Sequence, residues 1–121
     1  MQEFENISKA VKDFVETYID SFIAWDLILF FNDNPYTVGS ASNVAMSIGR
    51  RGVDIEPHLE DLVKRNVLEL ESKADDNTET LYSYNPPSGF EKTVVEFRRA
   101  LRDRAARHII VSKVLEKEAR K

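Results

Sequence analysis

Hydrophobic residues in the middle of the chain fall into three groups whose spacing indicates two short helices followed by a strand. The groups are Val44, Ala45 and Ile48, then Ile55, Leu59, Leu62 and Val63, and finally Val67, Leu68 and Leu70. The first two groups have the three- and four-residue spacing of a buried helix face, and the third begins a strand. Gly49 and Gly52 lie between the two helices, where a positive φ is often needed. The stretch therefore predicts a helix–turn–helix that leads into a strand.

Local signals predict where these elements begin and end. Tyr36–Val38 is predicted to be a short strand, and Ser40 or Ser42 can cap the helix that follows it. Asp54 is a good N-cap for the second helix. Asn66 predicts the end of that helix, because asparagine tolerates the left-handed conformation at a helix C-terminus.

Two short apolar stretches after the second helix predict a β-hairpin. The strands are predicted over Val67–Ser72 and Thr80–Asn85, and a polar seven-residue connection joins them. Pro86–Gly89 ends the hairpin, because neither proline nor glycine continues regular structure easily.

Long helices are predicted on both sides of this region. Residues 3–33 are expected to be helical with a bend near Ser21, and the apolar run Phe22–Phe31 indicates a buried segment. That run contains Asp26 and is half as long as the about 20 residues that span a membrane, so no membrane association is expected. Phe90–Glu118 is predicted to be one helix, about 45 Å long at 1.5 Å per residue.

Both terminal helices carry a narrow apolar seam at alternating steps of three and four residues. The seam residues are Phe4, Ile7, Val11, Phe14, Tyr18, Val94, Phe97, Leu101, Ile109, Val111 and Leu115. Because each seam needs an apolar counterpart, we predict a homodimer formed through these helices. The alternative is that the two helices pair within a monomer.

The last helix also carries a cluster of arginines, which invites a nucleic-acid interpretation. The arginines are Arg98, Arg99, Arg102, Arg104 and Arg107. We predict instead that they form ion pairs with acidic residues of the first helix. Those acidic residues are Glu3, Glu5, Asp13 and Glu16.

Composition favours a single domain that works without a cofactor. The chain has 121 residues, no cysteine and a net charge of −4, and its start lacks the features of a signal peptide, so we expect a cytoplasmic protein. His58 and His108 are too few for a metal site. With no phosphate-binding glycine loop and no nucleophile elbow, we expect no enzyme. The one domain is divided into a core of residues 22–88 and dimerisation helices over 1–21 and 89–121.

The order and spacing of the elements over Phe22–Asn85 resemble the winged helix–turn–helix transcriptional regulators, especially the ArsR-like and MarR-like families. The residues that carry this resemblance are Val44-Ala45 with Ile48-Gly49, Ile55 to Leu59 with Leu62, and Asn66-Val67-Leu68. The resemblance implies a mainly α fold with a small β-hairpin wing over Val67–Asn85. It also implies a homodimer that binds double-stranded DNA and regulates transcription.

The charges on the presumed recognition helix open a second interpretation. Its presented face consists of Asp54, Glu56, Pro57, Glu60 and Asp61. Such a face repels phosphates, and the basic residues left to contact DNA are Arg50, Arg51, Lys64, Arg65 and Lys73. The alternative function is a winged-helix module that has lost DNA binding and meets a basic protein partner.

A cluster of aromatic residues leaves a third hypothesis open, since MarR-like regulators bind aromatic ligands. The residues are Trp25, Phe30, Phe31, Tyr82 and Tyr84. Core packing is the favoured role for so many aromatic side chains.

Overall fold

The computed structural model describes residues 4–73, 75 and 78–120, with Glu5 described by its backbone only. This part of the chain is mostly helical and carries a small three-stranded antiparallel sheet, as the sequence predicted in coarse terms. A 3₁₀ turn over Phe4–Asn6 precedes the regular elements. These are α1 Lys9–Tyr18, α2 Phe22–Asp33, β1 Val38–Ser40, α3 Ala41–Ile48, α4 Gly52–Lys64, β2 Leu68–Ser72, β3 Leu81–Tyr84, α5 Phe90–Ala100 and α6 Arg104–Ala119.

The chain divides into two compact units. The terminal unit consists of the described parts of Met1–Trp25 and Ser88–Lys121, and the central unit consists of those of Asp26–Pro87. The first turn of α2 therefore belongs to the terminal unit and the rest of that helix to the central unit. Within the described residues, no helix is long and apolar enough to cross a membrane.

The predicted helix over residues 3–33 is wrong, because the chain breaks twice in this range. Ser8 caps α1 by accepting a hydrogen bond from the Val11 amide at 3.4 Å. The second break lies at residues 19–21, where Ser21 accepts a hydrogen bond from the Ala24 amide at 3.0 Å. A serine that bonds to the backbone in this way favours a helix start over a helix interior. The bend expected near Ser21 is therefore a complete break between α1 and α2.

The predicted single helix over Phe90–Glu118 is also wrong. α5 ends at Ala100 and α6 begins at Arg104, and the Asp103 carboxylate accepts a hydrogen bond from the Ala106 amide at 2.8 Å. The guanidinium group of Arg107 donates to the Leu101 carbonyl at 2.9 Å, which satisfies a backbone oxygen left free by the break. The 45 Å helix is replaced by two shorter helices.

The core of the terminal unit is built around aromatic rings. The ring of Phe14 lies 5.4 Å from that of Phe90 and 5.1 Å from that of Phe97, and Trp25 packs edge-on to Phe97 at 5.2 Å. These separations are in the favourable range for tilted aromatic pairs. Aliphatic side chains complete this core, namely those of Val11, Val15, Ile19, Val94, Ile109, Ile110 and Val114. The apolar seams of the sequence are thus largely covered by helices of the same unit.

The sheet of the central unit has the strand order β1-β3-β2, and both pairings are antiparallel. The first strand lies over Val38–Ser40 rather than over the predicted Tyr36–Val38. The reason is a turn after Pro35, in which the Thr37 amide donates to the Asn34 carbonyl at 3.1 Å and delays pairing. In the hairpin, Leu70 pairs with Tyr82, and the register shifts between Leu70 and Ser72.

Helices α3 and α4 are each followed by a residue in the left-handed conformation. The sequence predicted such a residue after α4, at Asn66. Gly49 has φ +73° and Asn66 has φ +66°. The amide that follows each of them bonds back to a carbonyl five residues earlier, from Arg50 to Ala45 at 2.9 Å and from Val67 to Leu62 at 2.9 Å. This is the Schellman arrangement, which sends the chain sharply away from the helix axis.

The start of α4 differs from the prediction. The helix begins at Gly52 after Arg51, so Asp54 lies in its first turn and is not its N-cap. Pro57 consequently lies in the second turn of α4, where it has no N–H to donate to the Val53 carbonyl. Of the two candidates for the N-cap of α3, the structure selects Ser40, which accepts from the Asn43 amide at 3.2 Å.

Candidate interaction surface

The exposed side of α4 is acidic. Ile55, Leu59 and Leu62 are buried in the central unit, so the residues between them on the helix face solvent. Glu56 and Glu60 are exposed there. The other residues of the predicted recognition face that solvent reaches are Asp54, Pro57 and Asp61.

Three of the five predicted DNA-contacting residues are engaged in ion pairs within the central unit. Arg50 donates to the Asp26 carboxylate from two nitrogens, at 2.9 and 2.7 Å. Arg51 pairs with Asp54 at 2.9 Å, and the third pair joins Arg65 to Asp61 at 2.7 Å. The other two residues, Lys64 and Lys73, line the groove described below. A phosphate would have to compete with these carboxylates for the three arginines.

The negative charge of Asp54 is stabilised by its neighbour Arg51. The Arg51 guanidinium hydrogen-bonds to the Asp54 carboxylate and thereby lowers the pKa of that carboxyl group below its ordinary value. The same hydrogen bond raises the pKa of Arg51. Both groups are exposed, so this pair orients charges on the surface more than it stabilises the fold.

An open groove lies between α4 and the β2–β3 hairpin. Val63, Leu70 and Tyr82 give it an apolar lining, and its volume is about 440 Å³. Leu70 is 40% exposed although its strand pairs it directly with the buried Tyr82. The charged and polar groups of the lining are Glu60, Lys64, Lys73 and Thr80. An apolar surface with polar groups around it is the usual composition of a binding groove.

Tyr82 connects the groove to the acidic face. Burial raises the pKa of its phenol, and the carboxylates of Glu56 and Glu60 raise it further. Both effects favour the protonated phenol, which extends the range of alkaline pH over which Tyr82 stays neutral.

Acidic groups continue along the hairpin. Glu69 accepts a hydrogen bond from Asn85 at 3.0 Å, and Glu71 accepts one from Ser83 at 2.7 Å. Both glutamates alternate with Leu68 and so point away from the side of the sheet that carries that leucine. The sequence of the central unit holds eleven Asp and Glu against five Lys and Arg, a balance of −6.

The residues of the predicted dimer seam lie mostly inside the terminal unit. Those buried there are Val11, Phe14, Val94, Phe97 and Ile109. Partly buried are Phe4, Ile7, Tyr18, Leu101 and Val111. Leu115 is 55% exposed. The homodimer stays a prediction, and the side chains that remain accessible to a second copy are few.

The acidic residues of α1 do not use the arginines that the sequence suggested. Asp13 pairs with Lys9 at 2.7 Å, and Glu16 pairs with Lys113 at 3.2 Å. Of the other two predicted partners, Glu3 and the Glu5 side chain lie outside the described residues. For Asp13 and Glu16 the predicted pairing is wrong, because lysines on α1 and α6 lie within reach of these two carboxylates.

Four of the aromatic residues considered for a ligand pocket pack against other aromatic rings. Phe31 is buried and stacks with Tyr84 at 6.3 Å, and Trp25 belongs to the aromatic core of the terminal unit. Phe30 packs edge-on to Phe31 at 5.2 Å. In the described part of the chain, no group of three or more His, Asp or Glu side chains could hold a metal ion.

Sequence reasoning found the acidic face but missed the groove. The alternation Leu68-Glu69-Leu70-Glu71 predicts that both leucines are buried, whereas only Leu68 is. An exposed leucine at such a position has no distinct sequence signal.

A comparison of the chain with models of protein families, with curated proteins and with solved structures finds no match.

Proposed function

We propose that the central unit is a winged-helix module that binds a basic segment of a partner protein. The segment lies along α4 and places one apolar side chain in the groove. The observation that carries this proposal is the open groove with Leu70 and Tyr82 beside the exposed Glu56 and Glu60.

The arrangement of elements supports the winged-helix part of the proposal. α3 and α4 stand between β1 and the β2–β3 hairpin in the chain, and β3 lies in the middle of the sheet. This order agrees with the family that the sequence resembles, in which a helix–turn–helix precedes a hairpin wing. The fold alone does not specify what the module binds, so the argument for the partner rests on the surface.

The charge of the surface favours a basic protein over DNA. The central unit has a balance of −6, and Arg50, Arg51 and Arg65 already bind carboxylates. Electrostatic attraction to phosphates supplies most of the affinity of non-specific DNA binding. An acidic surface does not provide this attraction. A partner with lysines and arginines meets complementary charges instead.

The groove offers an apolar contact, which the charged surface alone does not provide. Protein interfaces gain most of their affinity from a few side chains buried at the centre of the contact, with polar groups around them. Leu70 and Val63 are accessible apolar groups of the required kind. Lys64 and Lys73 in the lining can pair with acidic residues of the same segment.

The experiment is a selection from a library of randomised peptides displayed on phage, followed by anisotropy titrations of the enriched peptides. We expect enriched peptides to carry a leucine, isoleucine, phenylalanine or methionine flanked by lysine or arginine. The L70S variant should weaken binding at least about tenfold, which corresponds to about 1.4 kcal/mol. The double variant Glu56→Lys with Glu60→Lys should weaken it by a similar factor.

The matched control is Glu91→Lys, which makes the same charge reversal on α5 of the terminal unit and should leave peptide affinity unchanged. Enriched peptides that bind L70S and the double variant as well as the parent protein would contradict the proposal. The DNA-binding prediction is tested in parallel with random duplex at about 50 and 200 mM salt. If duplex binding depends on Lys64 and Lys73, the regulator function replaces the one proposed here.

A further inference from the structure

The terminal unit carries a second charged surface, of opposite sign, which we name the arginine corner. It consists of Arg98, Arg99, Arg102, Arg104 and Arg107, at the junction of α5 and α6. Half of the ten residues from Arg98 to Arg107 are arginine and none is lysine. The proposed function does not use this surface.

The break between α5 and α6 lies in the middle of these arginines. The amides of Leu101, Arg102 and Asp103 bond to carbonyls three or four residues earlier, each at 3.1 Å, and form a tight turn before α6 begins. The five arginines therefore belong to the last turn of α5, this turn and the first turn of α6. Arg107 helps to hold this turn through its bond to the Leu101 carbonyl.

Three arginines of the corner are available to a ligand. Arg99, Arg102 and Arg104 are exposed, and within the described residues they form no ion pair. The acid inside the turn, Asp103, is used to cap α6. Arg104 is the first residue of α6, where the positive end of the helix dipole disfavours a cation. An anion at this position would relieve that repulsion.

The chemistry of the corner selects the kind of anion. Arginine presents a planar fork of donors that binds phosphate oxygens in pairs, and it exceeds lysine where such geometry is used. Along the sequence, no large exposed apolar side chain lies between residues 96 and 108; the nearest in the described chain are Val95 and Leu115. Arg99 borders an open cavity whose apolar lining consists of the small or partly covered side chains of Ile7, Ala10, Val11, Ala100 and Ala106. A protein interface or a membrane surface needs an apolar contact at its centre. A nucleic-acid backbone needs none, because its affinity comes from released counterions.

We propose that the arginine corner binds the phosphate backbone of nucleic acid without reading its sequence. Arg99, Arg102 and Arg104 contact phosphates, while Arg107 holds the turn that positions them. The chain would then have two surfaces with different ligands, an acidic one for a basic protein segment and a basic one for phosphates.

The test is the salt dependence of binding to a random 20-base-pair duplex and to one of its strands, measured by fluorescence anisotropy. Three phosphate contacts predict a slope of log K against log[salt] of about −2.7 for duplex. The affinity should therefore fall roughly 40-fold between about 50 and 200 mM salt. For the single strand the slope should be about −2.1.

Variants locate the contact and separate it from the α4 surface. The double variant Arg102→Gln with Arg104→Gln should reduce the duplex slope by about 1.8. The double variant Arg102→Lys with Arg104→Lys should keep the slope, since it keeps the charge. Arg120→Gln near the other end of α6 and Lys64→Gln with Lys73→Gln on the central unit should leave the slope unchanged. All of these side chains are on the surface, so unfolding curves should overlap with that of the parent protein.

Several results would overturn the proposal. One is a duplex slope that the two glutamine substitutions do not change. Another is equal or tighter binding to a polyglutamate peptide, or to anionic vesicles containing about 30% phosphatidylserine, at the same salt concentration. A slope that falls only with the Lys64 and Lys73 variants would assign nucleic-acid binding to the central unit instead. The peptide selection on the acidic face is unaffected by any of these results.

Discussion

The two units differ in how deeply their paired charges are buried. In the terminal unit, the cations of the two long-range pairs, Lys113 with Glu16 and Lys117 with Asp20, are only 18% and 10% exposed. Lys117 of α6 also donates to the Val15 and Glu16 carbonyls at 2.7 and 3.0 Å. Of the three pairs described above for the central unit, two join near neighbours at the ends of α4, and all three keep their arginines at least 31% exposed.

The adjacent residues Lys117 and Glu118 show what the terminal pairs accomplish. Lys117 binds carbonyl oxygens in the last turns of α1, and Glu118 accepts a hydrogen bond from the Phe22 amide at the start of α2, at 2.8 Å. One turn of α6 thus satisfies backbone groups on both sides of the break at residues 19–21. The positive side chain binds the negative end of one helix, and the negative side chain binds the positive end of the next. The comparison teaches that burial of a charge, rather than its sign or number, decides whether it holds the fold or remains available to a ligand.

The largest effect is expected from Lys117→Met. The lysine side chain is only 10% exposed, so its loss removes one donor from each of two carbonyls and from the Asp20 carboxylate in a mostly buried place. We expect the free energy of unfolding to fall by about 2–3 kcal/mol. Urea denaturation followed by circular dichroism measures this change. The control is Lys9→Met, which removes an exposed pair with Asp13 and should leave the urea midpoint nearly unchanged. Equal effects of the two substitutions would refute the distinction between buried and exposed charges.

A smaller effect is expected in the central unit from Arg50→Met. Arg50 and Asp26 are partly exposed and lie on different elements, so their loss should cost about 1 kcal/mol. Arg51→Met removes an exposed pair between neighbours at the start of α4 and should have the smaller effect. The same denaturation measurement ranks the two variants. If Arg51→Met proves the more destabilising, local pairs on α4 hold the fold and the surface is less free for a partner than we propose.

The smallest effect concerns Tyr82 at alkaline pH. Its raised pKa means that the folded state keeps the phenol proton where the unfolded chain has lost it. The resulting stability is fully present below about pH 10 and is lost as the pH rises towards the folded-state pKa. Tyr82→Phe should therefore show a shallower decline of unfolding free energy above about pH 10. Parallel curves for the two proteins between pH 9 and pH 11 would contradict this.

The spacing of apolar residues was sufficient for the β2–β3 hairpin of the central unit but not for the position of β1 or for the break between α5 and α6. Leu68–Ser72 and Leu81–Tyr84 agree with the predicted strands within one residue at each end, because alternation and turn residues act locally. The apolar positions of the last helix continue at helical spacing across residues 101–103, so periodicity gave no sign of the break. The capping by Asp103 and the backbone contact of Arg107 are visible only in three dimensions.

In the candidate site, too, features set by local sequence were predicted and features set by long-range packing were not. Exposure of Glu56 and Glu60 follows from the helical periodicity of their buried neighbours and was predicted. The pairing of Arg50 with Asp26 joins residues 24 positions apart and depends on how α2 packs in the central unit. The exposed fraction of Leu70 depends on where α4 ends relative to the hairpin. Neither follows from local sequence, so the ion pair of Arg50 and the groove were not predicted, whereas the exposure of the acidic side chains was.

The contacts of Lys117 and Glu118 with the ends of α1 and α2 also affect how the protein folds during synthesis. The central unit is continuous in the chain, over 62 residues, whereas the terminal unit is assembled from its two ends. α1 and α2 obtain the partners for their facing ends only after residue 118 has left the ribosome. We therefore expect the central unit to fold first, which replaces a long flexible loop by a folded insert and lowers the entropy cost of joining the ends. Until then, the aromatic side chains of α1 are uncovered, and nascent chains that stall before α6 are the ones most exposed to aggregation.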